Sequence, residues 1–194
     1  MLAPYRKVLS VPGALAFTTA GFLSRLPISM VTLGIVLLVA DRTGSYGQAG
    51  VVTASYIVTA SASSPLLARA MDRIGQRQVI LPCVAVFAVG LGGLIVSVDL
   101  GAPAPLPHLC AAVAGAAYPP IGSCVRARWS FVVKDPALLH TAFSFEAVVD
   151  ESIFMVGPVL VTLLATGVSE SLALVSVIAV ALVGGAWFAG LRAT

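Results

Sequence analysis

Residues 68–80 read ARAMDRIGQRQVI, a short basic segment with one glycine that separates two apolar stretches. The apolar stretches, residues 48–67 and 79–98, contain no charged side chain. Each has the length of about 20 residues that a helix needs to cross the hydrocarbon core of a bilayer. So short a link between them predicts two adjacent, antiparallel transmembrane helices.

The composition of the whole chain indicates the same class of protein. Of its 194 residues, 59% are hydrophobic and 10% are charged, and the mean hydropathy is +1.03. These values lie outside the range of soluble domains. The net charge of +3 does not predict a nucleic-acid partner, because the basic residues form no patch interleaved with aromatic residues.

The three cysteines do not predict a disulfide framework or a metal site. Cys83, Cys110 and Cys124 lie in or near apolar runs without the spacing of metal ligands, and their number is odd. We interpret them as small buried hydrophobic residues. We expect neither a metal nor a cofactor.

The apolar runs predict an all-α membrane protein in which residues 1–194 form a single bundle of six transmembrane spans. The first run is interpreted as a retained span and not as a signal peptide, since no small-residue cleavage site stands out. The predicted spans are residues 13–40, 48–67, 79–98, 108–125, 138–165 and 172–191.

The distribution of lysine and arginine predicts the orientation of these spans. Arg42 is the one basic residue in the links on the far side from the N-terminus. The links on the N-terminal side hold nine, which are Arg6, Lys7, Arg69, Arg73, Arg77, Arg126, Arg128, Lys134 and Arg192. The positive-inside rule therefore predicts a multi-pass plasma-membrane protein with both termini in the cytoplasm.

Four charged residues lie within the predicted spans: Arg25, Glu146, Asp150 and Glu151. A charge at the bilayer centre costs about 2.5–3.5 kcal/mol and usually marks a transport pathway. At 1.5 Å per residue, Arg25 lies roughly 17 Å from the cytoplasmic side, Glu146 roughly 12 Å and Asp150 roughly 18 Å.

Helical periodicity puts Glu146 and Asp150 on one face of the fifth span and turns Glu151 about 100° away. We therefore predict that Arg25 pairs with Glu146 or Asp150, and that the remaining acid is free to bind a proton or a cationic group. The alternative is a purely structural charge network.

Helix-breaking residues in the first, fourth and fifth spans predict where a cavity lies. They are Pro27, the pair Pro119 and Pro120, and the pair Gly157 and Pro158. Irregular backbone at membrane depth is tolerated where it lines a cavity, so we expect these residues and Tyr118 to border one. The alternative is that each proline only kinks a packed helix. The featureless third and sixth spans are expected to face lipid.

Residues 68–80 resemble the loop between the second and third helices of the major facilitator superfamily, with its pattern G-x-x-x-D-R/K-x-G-R/Q-R/K. The matching residues are Asp72, Arg73, Gly75 and Arg77, whereas Ala68 stands where the family has Gly. Gly157 and Pro158 match the G-P core of the family's antiporter motif, although Ile153, Val161 and Thr162 replace its other glycines. Ala111 stands about where many members carry an arginine in the fourth helix.

This resemblance implies the N-terminal six-helix half of a twelve-helix transporter, similar to bacterial drug/proton antiporters. It implies proton-coupled export of small organic molecules by alternating access, with the substrate bound between two halves. The second half would be another copy of the chain or a missing C-terminal half. Asp72 would latch against that half, with Arg73 and Arg77 as charged neighbours and the first and fourth helices lining the cavity.

Two other functions remain open at this point. A non-transporting half-length membrane protein could serve as an assembly or regulatory partner. An enzyme is not expected, because no Ser, His and Asp set appears and His108 and His140 lie near opposite membrane faces. The expected partners are the lipid bilayer, protons and a small-molecule substrate, for which a mostly apolar cavity with a few charges suits an amphipathic or cationic compound.

Overall fold

The computed structural model describes residues 3–191, with side chains from Tyr5 onward. Within these residues the chain is all-helical, and five of its helices are long and apolar enough to cross a membrane. The helices are α1 (Ala3–Leu9), α2 (Ala14–Thr43), α3 (Tyr46–Ile74), α4 (Gln76–Asp99), α5 (Pro105–Ala116), α6 (Ile121–Val132), α7 (Pro136–Gly167) and α8 (Glu170–Gly190). The chain is an all-α membrane protein.

Short polar side chains and one glycine set the ends of the long helices. Gly44 ends α2 in a left-handed conformation with φ of +65°, which glycine adopts without steric cost. The side chains of Ser45, Asp135 and Ser169 accept hydrogen bonds from the first turns of α3, α7 and α8. Each cap satisfies a backbone N–H that has no partner within its own helix.

The link predicted at residues 68–80 is short, as expected, but it is almost entirely helical. Helix α3 continues to Ile74 and α4 begins at Gln76, so only Gly75 between them is non-helical. Its φ of +94° reverses the chain in a single residue. Apolar composition marks the stretch that fits the hydrocarbon core, whereas the charged residues beyond it continue the helix.

The predicted fourth span is divided into two helices, α5 and α6, of 12 residues each. Each is about 18 Å long, which is too short to cross a bilayer alone. The break lies at residues 117–120, where Pro119 and Pro120 lack backbone N–H groups. Helices α2 and α7 continue through Pro27 and Pro158, so the helix breaks predicted at these two prolines are wrong.

Helix α2 is the centre of the bundle and packs against α3, α6, α7 and α8. Small residues allow the closest helix contacts, as is usual in lipid. A Cβ atom at Gly115 in α5 would lie 2.1 Å from the carbonyl oxygen of Tyr56 in α3. A Cβ atom at Gly184 in α8 would lie 2.7 Å from the backbone nitrogen of Ser24 in α2.

The bundle leaves two long helices mostly uncovered within the described part of the chain. Only 17% of the most apolar stretch of α3 and of α7 is buried, against 44% in α4 and α8. The third and sixth predicted spans, α4 and α8, were expected to face lipid. In the chain alone, α3 and α7 leave a larger share of their apolar stretches open than α4 and α8 do.

Candidate functional site

Arg25 lies in the interior of α2 and is 5% exposed. Its Nη2 donates to Oε2 of Glu146 at 2.7 Å, and its Nη1 donates to Oδ1 of Asp150 at 2.7 Å. Its Nε donates to the carbonyl oxygen of Gly21 at 3.0 Å. Arg25 therefore pairs with both acids, and the prediction that one of them remains free is wrong, because a single guanidinium group reaches both carboxylates from α2.

Helix α6 supplies two further donors to the same carboxylates. Trp129 Nε1 donates to Oε1 of Glu146, and Arg126 Nη2 donates to Oδ2 of Asp150, each at 2.8 Å. The two donors are three residues apart and therefore share a helix face. Trp129 is fully buried, so its indole group lies in the interior of the bundle.

We call Arg25, Arg126, Glu146 and Asp150 the central charge cluster. It contains two cations and two anions, and each of the four carboxylate oxygens accepts a hydrogen bond. Buried charges are tolerated when they are paired and hydrogen-bonded in this way. The cluster joins α2, α6 and α7, with Arg25 and Glu146 buried and the side chains of Asp150 and Arg126 29% and 49% exposed.

A cavity of about 530 Å³ adjoins the central charge cluster. It lies between α2, α3, α7 and the break between α5 and α6. Arg25, Arg126 and Asp150 line it, whereas Glu146 is not among the lining residues and its side chain is 0% exposed. The other lining residues are Ile28, Thr32, Tyr56, Ile57, Ala60, Ser61, Ser64, Tyr118, Pro119, Pro120, Ile121, Gly122, Ser123, Ile153 and Phe154.

The structure separates the residues that were expected to border a cavity into two groups. Tyr118, Pro119 and Pro120 line the cavity, but Pro27, Gly157 and Pro158 are not among its lining residues. A Cβ atom at Gly157 would lie 1.8 Å from Oγ of Ser29, so this glycine permits close packing of α7 on α2.

Glu151 is exposed and lies outside the central charge cluster. No salt bridge in the described part of the chain involves it. Because successive residues of a helix are about 100° apart, Glu151 does not share the face of α7 that carries Glu146 and Asp150.

The residues that match the superfamily loop lie together but apart from the central charge cluster. Asp72 and Arg73 are in the last turn of α3, and Arg77 is in the first turn of α4. All three are exposed, and none joins a salt bridge within residues 5–191. The N–H of Gly75 donates to the carbonyl oxygen of Met71 at 2.9 Å and caps α3.

Two arginines make contacts that the sequence did not indicate. Arg128, 5% exposed, donates to Oε1 of Gln76 at 3.0 Å and to the carbonyl oxygen of Phe188 at 3.1 Å, which ties α6 to α4 and α8. Arg42, at the opposite end of the bundle, donates to Oδ1 of Asp99 at 3.0 Å. The one indication in the sequence is that residues two apart on a helix, such as Arg126 and Arg128, do not share a face.

The histidines and cysteines add no further candidate site in the described part of the chain. No group of His, Cys, Asp and Glu there is arranged to hold a metal ion. Cys83, Cys110 and Cys124 are free; Cys124 is buried and the other two are half-buried.

The fold and the site define a helical membrane protein with a paired charge cluster beside a cavity that is open at the surface of the chain. Comparison with known proteins found no matching family model, no matching curated protein and no matching solved structure.

Proposed function

We propose that the chain is a secondary active transporter, or half of one, that exports small organic molecules by proton-coupled alternating access. The observation that carries the proposal is the central charge cluster beside a cavity of about 530 Å³. Ionisable residues in the interior of membrane helices are costly, and they commonly belong to ion or proton pathways. Secondary transporters bind their substrates near the bilayer midplane, where this cavity would lie.

Asp150 is the residue of the cluster best placed to carry the proton. Its side chain is 29% exposed and lines the cavity, whereas that of Glu146 is 0% exposed. Protonation of Asp150 would remove its charge and release Arg126 in α6 and one arm of Arg25 in α2. Proton binding would then change the contacts among α2, α6 and α7, which is the coupling that alternating access requires.

The proposed topology has six spans, with α5 and α6 together forming the fourth. Non-helical backbone at membrane depth is tolerated where it lines a cavity, and residues 118–120 of the break do line one. Both termini would then lie on the cytoplasmic side of the plasma membrane, as the basic links indicate. Arg192, which contributed to that count, lies outside the described residues.

A second six-helix half completes the proposed transporter, either as another copy of the chain or as a separate C-terminal half. The open apolar faces of α3 and α7 border the cavity and suit such a partner. Asp72, Arg73, Gly75 and Arg77 would then act at the cytoplasmic edge of the interface as a gating motif. Light scattering of the purified chain in detergent, with the detergent mass subtracted, distinguishes a dimer from a monomer.

One observation favours a second candidate, a non-transporting assembly or regulatory partner. Every oxygen of Glu146 and Asp150 already accepts a hydrogen bond, as in a network that only fixes helix packing. For such a protein, purified chain in sealed liposomes would move no solute under any imposed gradient.

We predict that Asp150→Asn abolishes coupling of transport to the proton gradient. Asparagine keeps the shape of the side chain but cannot take up a proton at physiological pH. An imposed pH gradient should drive solute movement across proteoliposomes that contain the wild-type chain. The same gradient should give only the protein-free background with Asp150→Asn.

The matched control is Glu151→Gln, which removes a carboxylate one residue further along α7. Because Glu151 is exposed and outside the central charge cluster, pH-driven transport should persist in this variant. Undiminished transport by Asp150→Asn would refute Asp150 as the proton carrier. Equal loss of pH-driven transport in both variants would refute the assignment of proton binding to Asp150 and not to Glu151.

A further inference from the structure

The cavity beside the central charge cluster offers free hydrogen-bond donors and no carboxylate oxygen without a donor. Both oxygens of Asp150 accept from arginine, and both oxygens of Glu146 accept from Arg25 and Trp129. Arg126 in contrast uses only Nη2, and its side chain is 49% exposed. Its Nη1 and Nε donate to no acceptor within the described residues.

The charged residues that line the cavity are two cations, Arg25 and Arg126, and one anion, Asp150. The rest of the wall is mostly apolar and includes Ile28, Ile57 and Phe154. Its hydroxyl-bearing residues are Thr32, Tyr56, Ser61, Ser64, Tyr118 and Ser123. A ligand in this cavity therefore meets apolar walls and one exposed guanidinium group.

We infer that the cavity binds an amphipathic organic anion whose carboxylate, sulfonate or phosphate group pairs with Arg126 while its apolar part lies against the walls. Two parallel hydrogen bonds to such an oxyanion come from Nη1 or Nε of Arg126 together with the second hydrogen of Nη2. An organic cation would instead share Asp150 with two arginines and be repelled by both. The inference rests on the proposed function only in treating the anion as a transported substrate.

The anion and Asp150 compete for the same donor. In the structure Arg126 Nη2 is bonded to Oδ2 of Asp150 at 2.8 Å. Neutralising Asp150 weakens that bond and makes Arg126 more available to the ligand. Asp150→Asn is therefore expected to bind an anion as tightly as the wild type or more tightly, whereas it would lose affinity for a cation.

The test is isothermal titration of the full chain in lipid nanodiscs with two probes of the same shape, phenylbutyrate and phenylbutylammonium. Empty nanodiscs give the background of partition into lipid. We expect the wild type to bind phenylbutyrate above this background and at least about tenfold more tightly than phenylbutylammonium, the difference expected from one charge-assisted hydrogen bond.

Arg126→Gln should weaken phenylbutyrate binding about tenfold or more, and Asp150→Asn should not weaken it. Lys134→Gln is the matched control, because it removes one positive charge from the exposed link after α6, away from the cavity. Phenylbutyrate binding should be unchanged in that variant.

Three results would overturn the inference: tighter binding of the cation, loss of anion binding in Asp150→Asn, or no anion binding above that of empty nanodiscs. If Arg126→Gln folds poorly, the comparison of phenylbutyrate with phenylbutylammonium on the wild type still tests the inference. Anion binding without any transport would refute the proposed function alone. Transport of another solute without anion binding would refute this inference alone.

Discussion

Replacement of Arg25 by glutamine should lower the free energy of unfolding by about 3–5 kcal/mol, the cost of removing one partner of a buried ion pair. Glu146, which is fully buried, would keep only the hydrogen bond from Trp129. Asp150 would keep only Arg126. The measurement is unfolding of the purified chain by sodium dodecyl sulfate in mixed micelles, followed by circular dichroism.

Two further variants separate the buried charge from other effects of the substitution. The double variant Arg25→Gln with Glu146→Gln removes both charges and should recover part of the lost stability, because no fully buried carboxylate is then left without its arginine. Arg73→Gln removes an exposed arginine at the end of α3 and should change stability by no more than about 0.5 kcal/mol. If Arg25→Gln costs no more than Arg73→Gln, Arg25 is not the buried partner of the two acids.

The substitution Gly115→Ala should separate α3 from α5. Its Cβ atom would lie 2.1 Å from the carbonyl oxygen of Tyr56 and 2.4 Å from Oγ1 of Thr59. A backbone oxygen cannot rotate away as a side chain can, so the two helices must move apart. We expect a loss of about 1–3 kcal/mol or more, as for overpacked cores, measured by the same unfolding titration.

Gly92→Ala in α4 is the control for this substitution. No heavy atom lies within 4 Å of the added Cβ at Gly92. Alanine is a better helix former than glycine by up to about 1 kcal/mol, so this variant should be neutral or stabilised. Equal stability of Gly115→Ala and Gly92→Ala would show that α3 and α5 are not packed as closely as described.

The helices were predictable from the sequence because the apolar runs have the length of the hydrocarbon core. Their ends were not, since charged residues such as Asp72 and Arg73 continue a helix beyond the apolar stretch. Nor could the sequence distinguish a proline that breaks a helix from one that does not. A single ring at Pro27 or Pro158 removes one donor and the helix continues, whereas the two successive rings at Pro119 and Pro120 remove two and interrupt it.

A contact of Arg25 with either Glu146 or Asp150 followed from helical periodicity and from similar depths along two helices, but its simultaneous contact with both did not. Arg126 and Trp129 were missed, because an arginine and a tryptophan near the end of an apolar run are typical of the membrane interface. Only the break after Ala116, and the packing of α6 beside α2 and α7, brings both side chains to the two carboxylates. Such a long-range arrangement has no signature in local spacing.

The most direct test of proton-coupled transport is the movement of protons driven by a solute gradient. The wild-type chain is placed in sealed liposomes with a pH-sensitive dye inside, and gradients of amphipathic organic anions and cations are imposed in turn. We predict that at least one gradient changes the internal pH beyond the passive change in protein-free liposomes, and that liposomes with Asp150→Asn show only the protein-free change. A pH record that matches protein-free liposomes for every solute would contradict the proposal that this chain couples solute transport to protons.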